Sequence, residues 1–320
     1  MWTTPFCAFL VSLSYFFVPV ALAQTAPTRI PMVEVAGKEI VQVSINGTGP
    51  YDFVLDTGSN VTLVKRQLLA KLKLSMGEAV TIVTVLGGRS QQRVLSAESV
   101  SVAGFSVQHL ELKTLDGAQM GPLEGRVQGI LGENFLEHFD LLIDNDRQTL
   151  TLDPSSSLAA TLAGERLHVS RFGNYHLAVT SDRLVVELKV RSYLQKPLFF
   201  LVDTGTNTAV LYPGQGGYAI RAMQSLQRGD LTGLDGRQSC QIQKTTLELG
   251  AATFGGIELA TCEGLTRNKM DTDGVLPTRV FHEVFISHNG GYVIVDPHSA
   301  DNAGAVRGEK EEKQDRRKWP

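Results

Sequence analysis

The segment Phe53-Val54-Leu55-Asp56-Thr57-Gly58-Ser59 recurs as Phe200-Leu201-Val202-Asp203-Thr204-Gly205-Thr206. Each copy is an apolar run that ends in Asp-Thr-Gly and then a hydroxyl residue. One copy alone constrains little, because a strand-ending turn explains it equally well. Two copies inside a longer repeat constrain the fold strongly, and the repeat is longer. Alternating stretches precede both copies, at residues 40–45 and 185–190. After them, Val85-Leu86-Gly87-Gly88-Arg89 corresponds to Gly233-Leu234-Asp235-Gly236-Arg237. Gly129-Ile130-Leu131-Gly132 corresponds to Gly274-Val275-Leu276-Pro277, and Leu150-Thr151-Leu152-Asp153-Pro154 to Val293-Ile294-Val295-Asp296-Pro297. Landmarks in one order with slowly drifting offsets predict a duplicated lobe.

Two aspartates at matching places in two copies of a unit can meet at a pseudo-twofold axis. Facing carboxyls that cannot both ionise form a general acid/base device. The glycines after them allow sharp turns and close approach of the two loops. Thr57 and Thr204 carry hydroxyls that could lock the loops to each other. Ser59 and Thr206 could donate a hydroxyl to each carboxylate, which favours its ionised form.

The remaining pattern is short strands broken by Gly, Asn and Asp turns, which predicts an all-β protein. Asn46-Gly47 and Gly87-Gly88 are hairpin signals. Helical pattern is confined to residues 66–74 and 135–138. Residues 6–23 are apolar and end in Ala21-Leu22-Ala23, a small-x-small pattern that predicts a signal peptide over residues 1–23. Residues 1–5 lack Lys and Arg, so an uncleaved membrane anchor is the competing reading. The chain is expected to be exported, periplasmic or secreted, with an N-terminally membrane-anchored form as the alternative. The expected divisions are a leader (24–34), a first lobe (35–154), a linker (155–165), a second lobe (166–298) and a charged, solvated tail (299–320).

The net charge of −3 argues against nucleic acid as a partner. No His/Cys/Asp cluster has metal-ligand spacing, so neither a metal nor a cofactor is expected, and the seven histidines read as surface or packing residues. Cys240 and Cys262 flank a predicted hairpin, with Gly250, Gly255 and Gly256 at its turn. They would lie opposite each other, either bridged or as two buried thiols.

These motifs resemble the pepsin and retropepsin superfamily of aspartic proteases. Asp56 and Asp203 match its catalytic aspartates, and Thr57, Gly58, Thr204 and Gly205 match the loops that cradle them. Ser59 and Thr206 match the pepsin-like choice of hydroxyl residue there. Gly129-Ile130-Leu131-Gly132 and Gly274-Val275-Leu276 match the elements behind each aspartate loop, with Pro277 a departure. The resemblance covers residues 35 to 297. It implies two β-barrel lobes in one monomeric chain, an active-site cleft between them and a polypeptide substrate. It also implies substrate-covering flaps, for which Leu86, Gly87, Gly88, Leu234, Asp235 and Gly236 are the candidates. Two such hairpins, without the tyrosine usual in pepsins, point to a retropepsin-like type of exported bacterial enzyme. The sequon Asn60-Val61-Thr62 beside the first loop fits a bacterial envelope. The implied activity is aspartic endopeptidase. A catalytically silent peptide-binding protein of the same fold is the alternative.

Overall fold

The computed structural model describes residues 28–83, 89–115, 121–169, 184–191, 197–212, 227–233, 236–262 and 272–300. Two short strands come first, β1 (Arg29–Pro31) and β2 (Val33–Val35). Next are β3 (Lys38–Ile45), β4 (Thr48–Leu55), β5 (Thr62–Lys65), β6 (Met76–Val83), β7 (Arg89–Val102), β8 (Phe105–Leu115) and β9 (Gly129–Leu131). The middle of the chain forms β10 (Asp140–Asp144), β11 (Thr149–Asp153), β12 (Leu162–Ala163) and β13 (Leu167–His168). Then follow β14 (Val185–Val190), β15 (Leu198–Asp203), β16 (Ala209–Leu211), β17 (Gln227–Gly233), β18 (Gly236–Leu249), β19 (Ala252–Cys262) and β20 (Gly274–Pro277). β21 (Glu283–Ser287), β22 (Tyr292–Val295) and β23 (His298–Ser299) come last.

Sequence alternation shows directly in strand burial. β14, Val-Val-Glu-Leu-Lys-Val, buries its aliphatic residues and exposes Glu187 and Lys189. Asn46 and Gly47 turn β3 into β4 with φ of 50° and 70°, the left-handed pair that an Asn-Gly hairpin requires.

Strands β3-β4-β9-β5-β8-β7 are successive neighbours, and β7 returns to β3 through Ser44↔Ser101 and Ile45↔Val100. That return closes a six-stranded barrel. Strands β14-β15-β20-β16-β19-β18 follow the same order, and β18 returns to β14 through Lys189↔Glu248 and Val190↔Leu247. Closure leaves no barrel edge unpaired. β6 and β17 pair outside the rings as the outer strands of long hairpins with β7 and β18.

The glycines of the two Gly-apolar-apolar elements have a packing reason. A Cβ on Gly129 would lie 2.3 Å from the Phe53 ring and 2.3 Å from the Leu63 carbonyl oxygen. One on Gly274 would lie 2.5 Å from the Phe200 ring and 2.2 Å from the Val210 carbonyl oxygen. Each glycine lets a central strand pass beneath a fully buried phenylalanine that precedes an aspartate loop.

A third sheet, of order β1-β11-β10-β21-β22-β13, draws strands from both sides of the predicted linker. Its central pairing, β10 with β21, sets Leu141 opposite Ile286 and Ile143 opposite Val284. The leader expected at residues 24–34 in fact contains β1, paired with β11, and β2, paired with β3. The expected linker includes a helical turn, Leu158–Ala160, and β12, which pairs with β23. Two short α-helices, α1 (Leu69–Leu72) and α2 (Glu133–Leu136), fall close to the predicted positions.

Cys240 and Cys262 lie directly opposite in the β18–β19 hairpin and are joined, with an S–S distance of 2.02 Å. Their separation of 22 residues corresponds to a stabilisation on the order of 3 kcal/mol from loop closure. The hairpin turns at Gly250 and Ala251. Gly255 and Gly256 sit within β19, where the register shifts between Thr245 and Leu247, so they form an irregularity in the strand and not its turn.

Candidate active site

Asp56 follows the buried end of β4, and Asp203 is the last residue of β15. Both strands are held by parallel pairing, β4 to β9 and β15 to β20. The Asp56 N–H donates to the Leu131 carbonyl at 3.0 Å, continuing that pairing into the loop. Each chain then turns at Asp-Thr-Gly, where the glycine N–H donates to its own aspartate. Gly58 N reaches Asp56 Oδ1 at 3.0 Å and Gly205 N reaches Asp203 Oδ1 at 2.6 Å.

The threonines cross between the loops. Thr57 N donates to Thr204 Oγ1 at 2.9 Å, and Thr204 N donates to Thr57 Oγ1 at 3.1 Å. Thr57 Oγ1 donates to the Val202 carbonyl at 3.0 Å, and Thr204 Oγ1 to the Leu55 carbonyl at 2.8 Å. The two glycines cross as well. A Cβ on Gly58 would fall 2.4 Å from Asp203 Cγ, and one on Gly205 would fall 2.4 Å from Asp56 Cγ. Each carboxyl therefore rests against the other loop's glycine, and no larger residue fits.

Asp203 is 2% exposed, whereas Asp56 is half-buried. Burial, the Asp203 charge and a hydrogen bond between the two carboxyls hold the Asp56 pKa well above the usual carboxylate range. The Lys38 charge and the Gly58 N–H pull the other way. Two carboxyls so placed retain a proton between them at pH values where an isolated aspartate has lost it.

Ser59 and Thr206 do not serve the carboxylates as expected. Ser59 Oγ donates to the Val61 carbonyl at 2.8 Å, and Thr206 Oγ1 to the Thr208 carbonyl at 3.3 Å. A hydroxyl has one proton to give, and here it closes the loop's own turn. The flap candidates Leu86, Gly87, Gly88, Leu234 and Asp235 lie outside the described residues. What is described is the pair of hairpins leading to them, with Val83 opposite Arg89 and Gly233 opposite Gly236.

Sequence reasoning missed a group of charges beside the pair. The β2–β3 turn, at Ala36 and Gly37, is held by residues that follow β15 and β20. Lys38 Nζ donates to the Gly205 carbonyl at 2.5 Å, Asn207 Nδ2 to the Ala36 carbonyl at 3.4 Å and Arg279 to the Gly37 carbonyl at 2.6 Å. Arg279 also pairs with Glu34 at 2.7 Å. Burial lowers the Lys38 pKa, against the opposing charges of Asp203, Asp56 and Glu39. Glu39 is 1% exposed, and burial pushes its pKa up to about 7. Nothing in the alternation of β3 distinguishes Lys38 and Glu39 from ordinary surface charges.

His288, read as a packing or surface residue, is buried against Glu133. Its Nε2 lies 2.9 Å from Glu133 Oε2 and its Nδ1 2.6 Å from the Phe139 carbonyl oxygen. The Glu133 N–H in turn donates to the Ser59 carbonyl at 2.8 Å, so this pair joins the first aspartate loop to the third sheet. Burial opposes the His288 charge, but the hydrogen bond and charge of Glu133 outweigh it and raise its pKa above 6.5. A raised histidine stabilises fully below its unfolded pKa and loses that contribution as pH rises through the folded one. Stability is therefore expected to fall as pH climbs above about 6.5. Thermal midpoints across that range check it, and Glu133→Gln should abolish the fall. A His288 ring that titrates below the ordinary histidine value by NMR would contradict the pairing.

No curated protein matches the chain. Residues 41–135 match the aspartyl protease family model. The matched stretch runs from β3 to α2, takes in the Asp56 loop and the Gly129 element, and ends before the second barrel. That match, over under a third of the chain, and the all-β barrel built around the Asp-Thr-Gly loop are consistent with an aspartic protease of the pepsin- and retropepsin-like kind.

Proposed function

We propose that this chain is an aspartic endopeptidase in which Asp56 and Asp203 together activate a water molecule against an extended peptide. The reciprocal crossing of the two Asp-Thr-Gly loops carries this reading, because it brings two carboxyls together across a pseudo-twofold axis. In the monoprotonated pair, the ionised carboxylate takes a proton from water as its oxygen attacks the scissile carbonyl carbon. The neutral carboxyl gives its proton to the carbonyl oxygen. Collapse of the resulting diol breaks the C–N bond, and the leaving amine takes a proton from the pair. The four hydrogen bonds of the threonine crossing and one glycine N–H per aspartate fix the geometry before substrate arrives, which is where preorganisation lowers a barrier.

The two barrels act in this reading as two lobes with the cleft between them. The β6–β7 and β17–β18 hairpins reach over it and pair with a peptide backbone as an added strand. A substrate must be straightened over roughly eight residues, so flexible segments are cut and folded domains are spared. Export is part of the same proposal. It is supported by the apolar stretch at residues 6–23 and by a disulfide, which persists in oxidising compartments.

Incubation of the purified chain with an unstructured peptide library tests the activity. Cleavage beside apolar residues is expected, blocked by a statine-type inhibitor whose hydroxyl replaces the attacking water. Folded protein that neither cuts such peptides at any pH from 3 to 8 nor binds the inhibitor would overturn the proposal.

A further inference from the structure

We propose that Lys38 is a positioning residue for the Asp56–Asp203 pair, its ammonium setting the pH range over which the pair holds a single proton. The inference rests on the reading of that pair as the catalytic device. Lys38 comes from the first barrel, yet its Nζ is anchored on the carbonyl of Gly205, the glycine whose backbone lies against the Asp56 carboxyl. A half-buried cation so placed acts on both aspartates, and it does so through a medium that screens it poorly.

The surrounding charges leave that cation free to act on the pair. The groups facing Lys38 are Asp203 and Asp56 from the two loops, Glu39 from its own strand and Arg279 from the turn after β20. Arg279 is committed to Glu34 and to the Gly37 carbonyl. Glu39 is buried, with no hydrogen-bond partner for either carboxyl oxygen, and stays protonated up to about pH 7. Below that, Asp56 and Asp203 are the anions that face Lys38 among these groups.

The fold does not demand the buried acid. Ile40 pairs with Val54 in the first barrel as Val185 pairs with Leu201 in the second. That register makes Leu184 the counterpart of Glu39, so the second barrel fills the same position with a buried leucine. The buried acid is thus particular to the first barrel, whereas one residue earlier the same register sets Lys38 against Arg183, which lies outside the described residues.

A cation beside the pair favours loss of each of its protons. It lowers both limbs of the bell-shaped dependence of kcat/KM on pH. Lys38→Met should therefore move both limbs to higher pH by about one unit or more, the scale of a close opposite charge. At a pH on the wild-type acid limb, kcat/KM should fall about tenfold per unit of that shift. Lys38→Gln, which keeps a donor for the Gly205 carbonyl, should shift the limbs in the same way, and Lys38→Arg should restore them. A uniform loss of rate with both limbs unmoved would overturn the proposal and leave Lys38 as a clasp between the barrels. So would neutral variants that fail to fold where Lys38→Arg folds.

A second readout does not depend on cleavage. Carbon-13 NMR titration of the two carboxyls should show the same upward displacement in Lys38→Gln. If wild-type protein cuts no peptide but the carboxyl titration moves, the endopeptidase reading fails and the Lys38 coupling stands. If wild-type protein cuts peptides and the titration does not move, the coupling fails alone.

Discussion

Asp56→Asn and Asp203→Asn are each expected to abolish peptide cleavage, with kcat reduced by at least about 10³-fold, because one carboxyl cannot be both acid and base in a turnover. The two losses should not add. Either variant already removes the shared proton, so the double variant should be no slower than the singles. Folding should survive, and the sign of the stability change can be worked out in advance. The Asp56 pKa is raised in the folded protein by burial and by Asp203. A carboxyl raised in this way favours the folded state at pH values below its unfolded pKa. That contribution is lost as pH rises through the folded value. Asp203→Asn removes the charge that opposes ionisation of Asp56, so above that pH the variant should be at least as stable as wild type. A single variant that kept near-normal activity would refute the shared-proton mechanism. A variant that lost activity only by unfolding would leave that mechanism without support, and thermal midpoints measured beside the rates separate the two cases.

Much of this site was legible in the sequence because its requirements are local and repeated. An apolar run, an aspartate, a threonine and a glycine specify a strand, a carboxyl and a tight loop within seven residues, and the chain writes that segment twice. The glycines at 129 and 274 were legible for the same reason, although their cause is contact with Phe53 and Phe200, which only the structure displays. Features built from distant segments were not legible. The third sheet pairs β10 with β21 across about 140 residues of chain, and no local pattern announces which strands meet. Leu141 and Ile286 look like any buried strand residues. His288 and Glu133 are 155 positions apart and gave no signal as a pair. Lys38 and Glu39 sit in a strand whose alternation would place one of them on an ordinary outer face, and only the approach of Gly205 makes their charges matter. Ser59 and Thr206 show the reverse error. Their hydroxyls could have served the carboxylates by proximity in sequence, but they donate to the carbonyls two residues onward.

The threonine crossing should prove the most sensitive structural element of the molecule. Thr57 and Thr204 are 1% and 0% exposed, and each hydroxyl both accepts an N–H from the other loop and donates to a carbonyl at the end of the other loop's strand. Thr57→Val keeps the shape and removes only the hydroxyl. It leaves the Thr204 N–H without its acceptor and the Val202 carbonyl without its donor, both in the dry interior. An unsatisfied buried group costs roughly 1–3 kcal/mol, so the variant should lose about 2–5 kcal/mol. For a chain of this size that corresponds to a fall in thermal midpoint on the order of 10 °C. Thr57→Ser, which retains the hydroxyl, should lose much less. Activity should fall with stability, by about 100-fold, because loosening the loops displaces the carboxyls from each other and a misplacement of about 1 Å has that effect. The four hydrogen bonds involve different donors, so independent loops would give additive losses in Thr57→Val/Thr204→Val. The loops instead hold each other in register, and the first substitution should already weaken the bonds that the second removes. The double variant is therefore expected to lose less than the sum, with a coupling of about 1 kcal/mol or more. Strict additivity would show that each barrel positions its own aspartate, and an unchanged thermal midpoint in Thr57→Val would show that the crossing does not hold the barrels together.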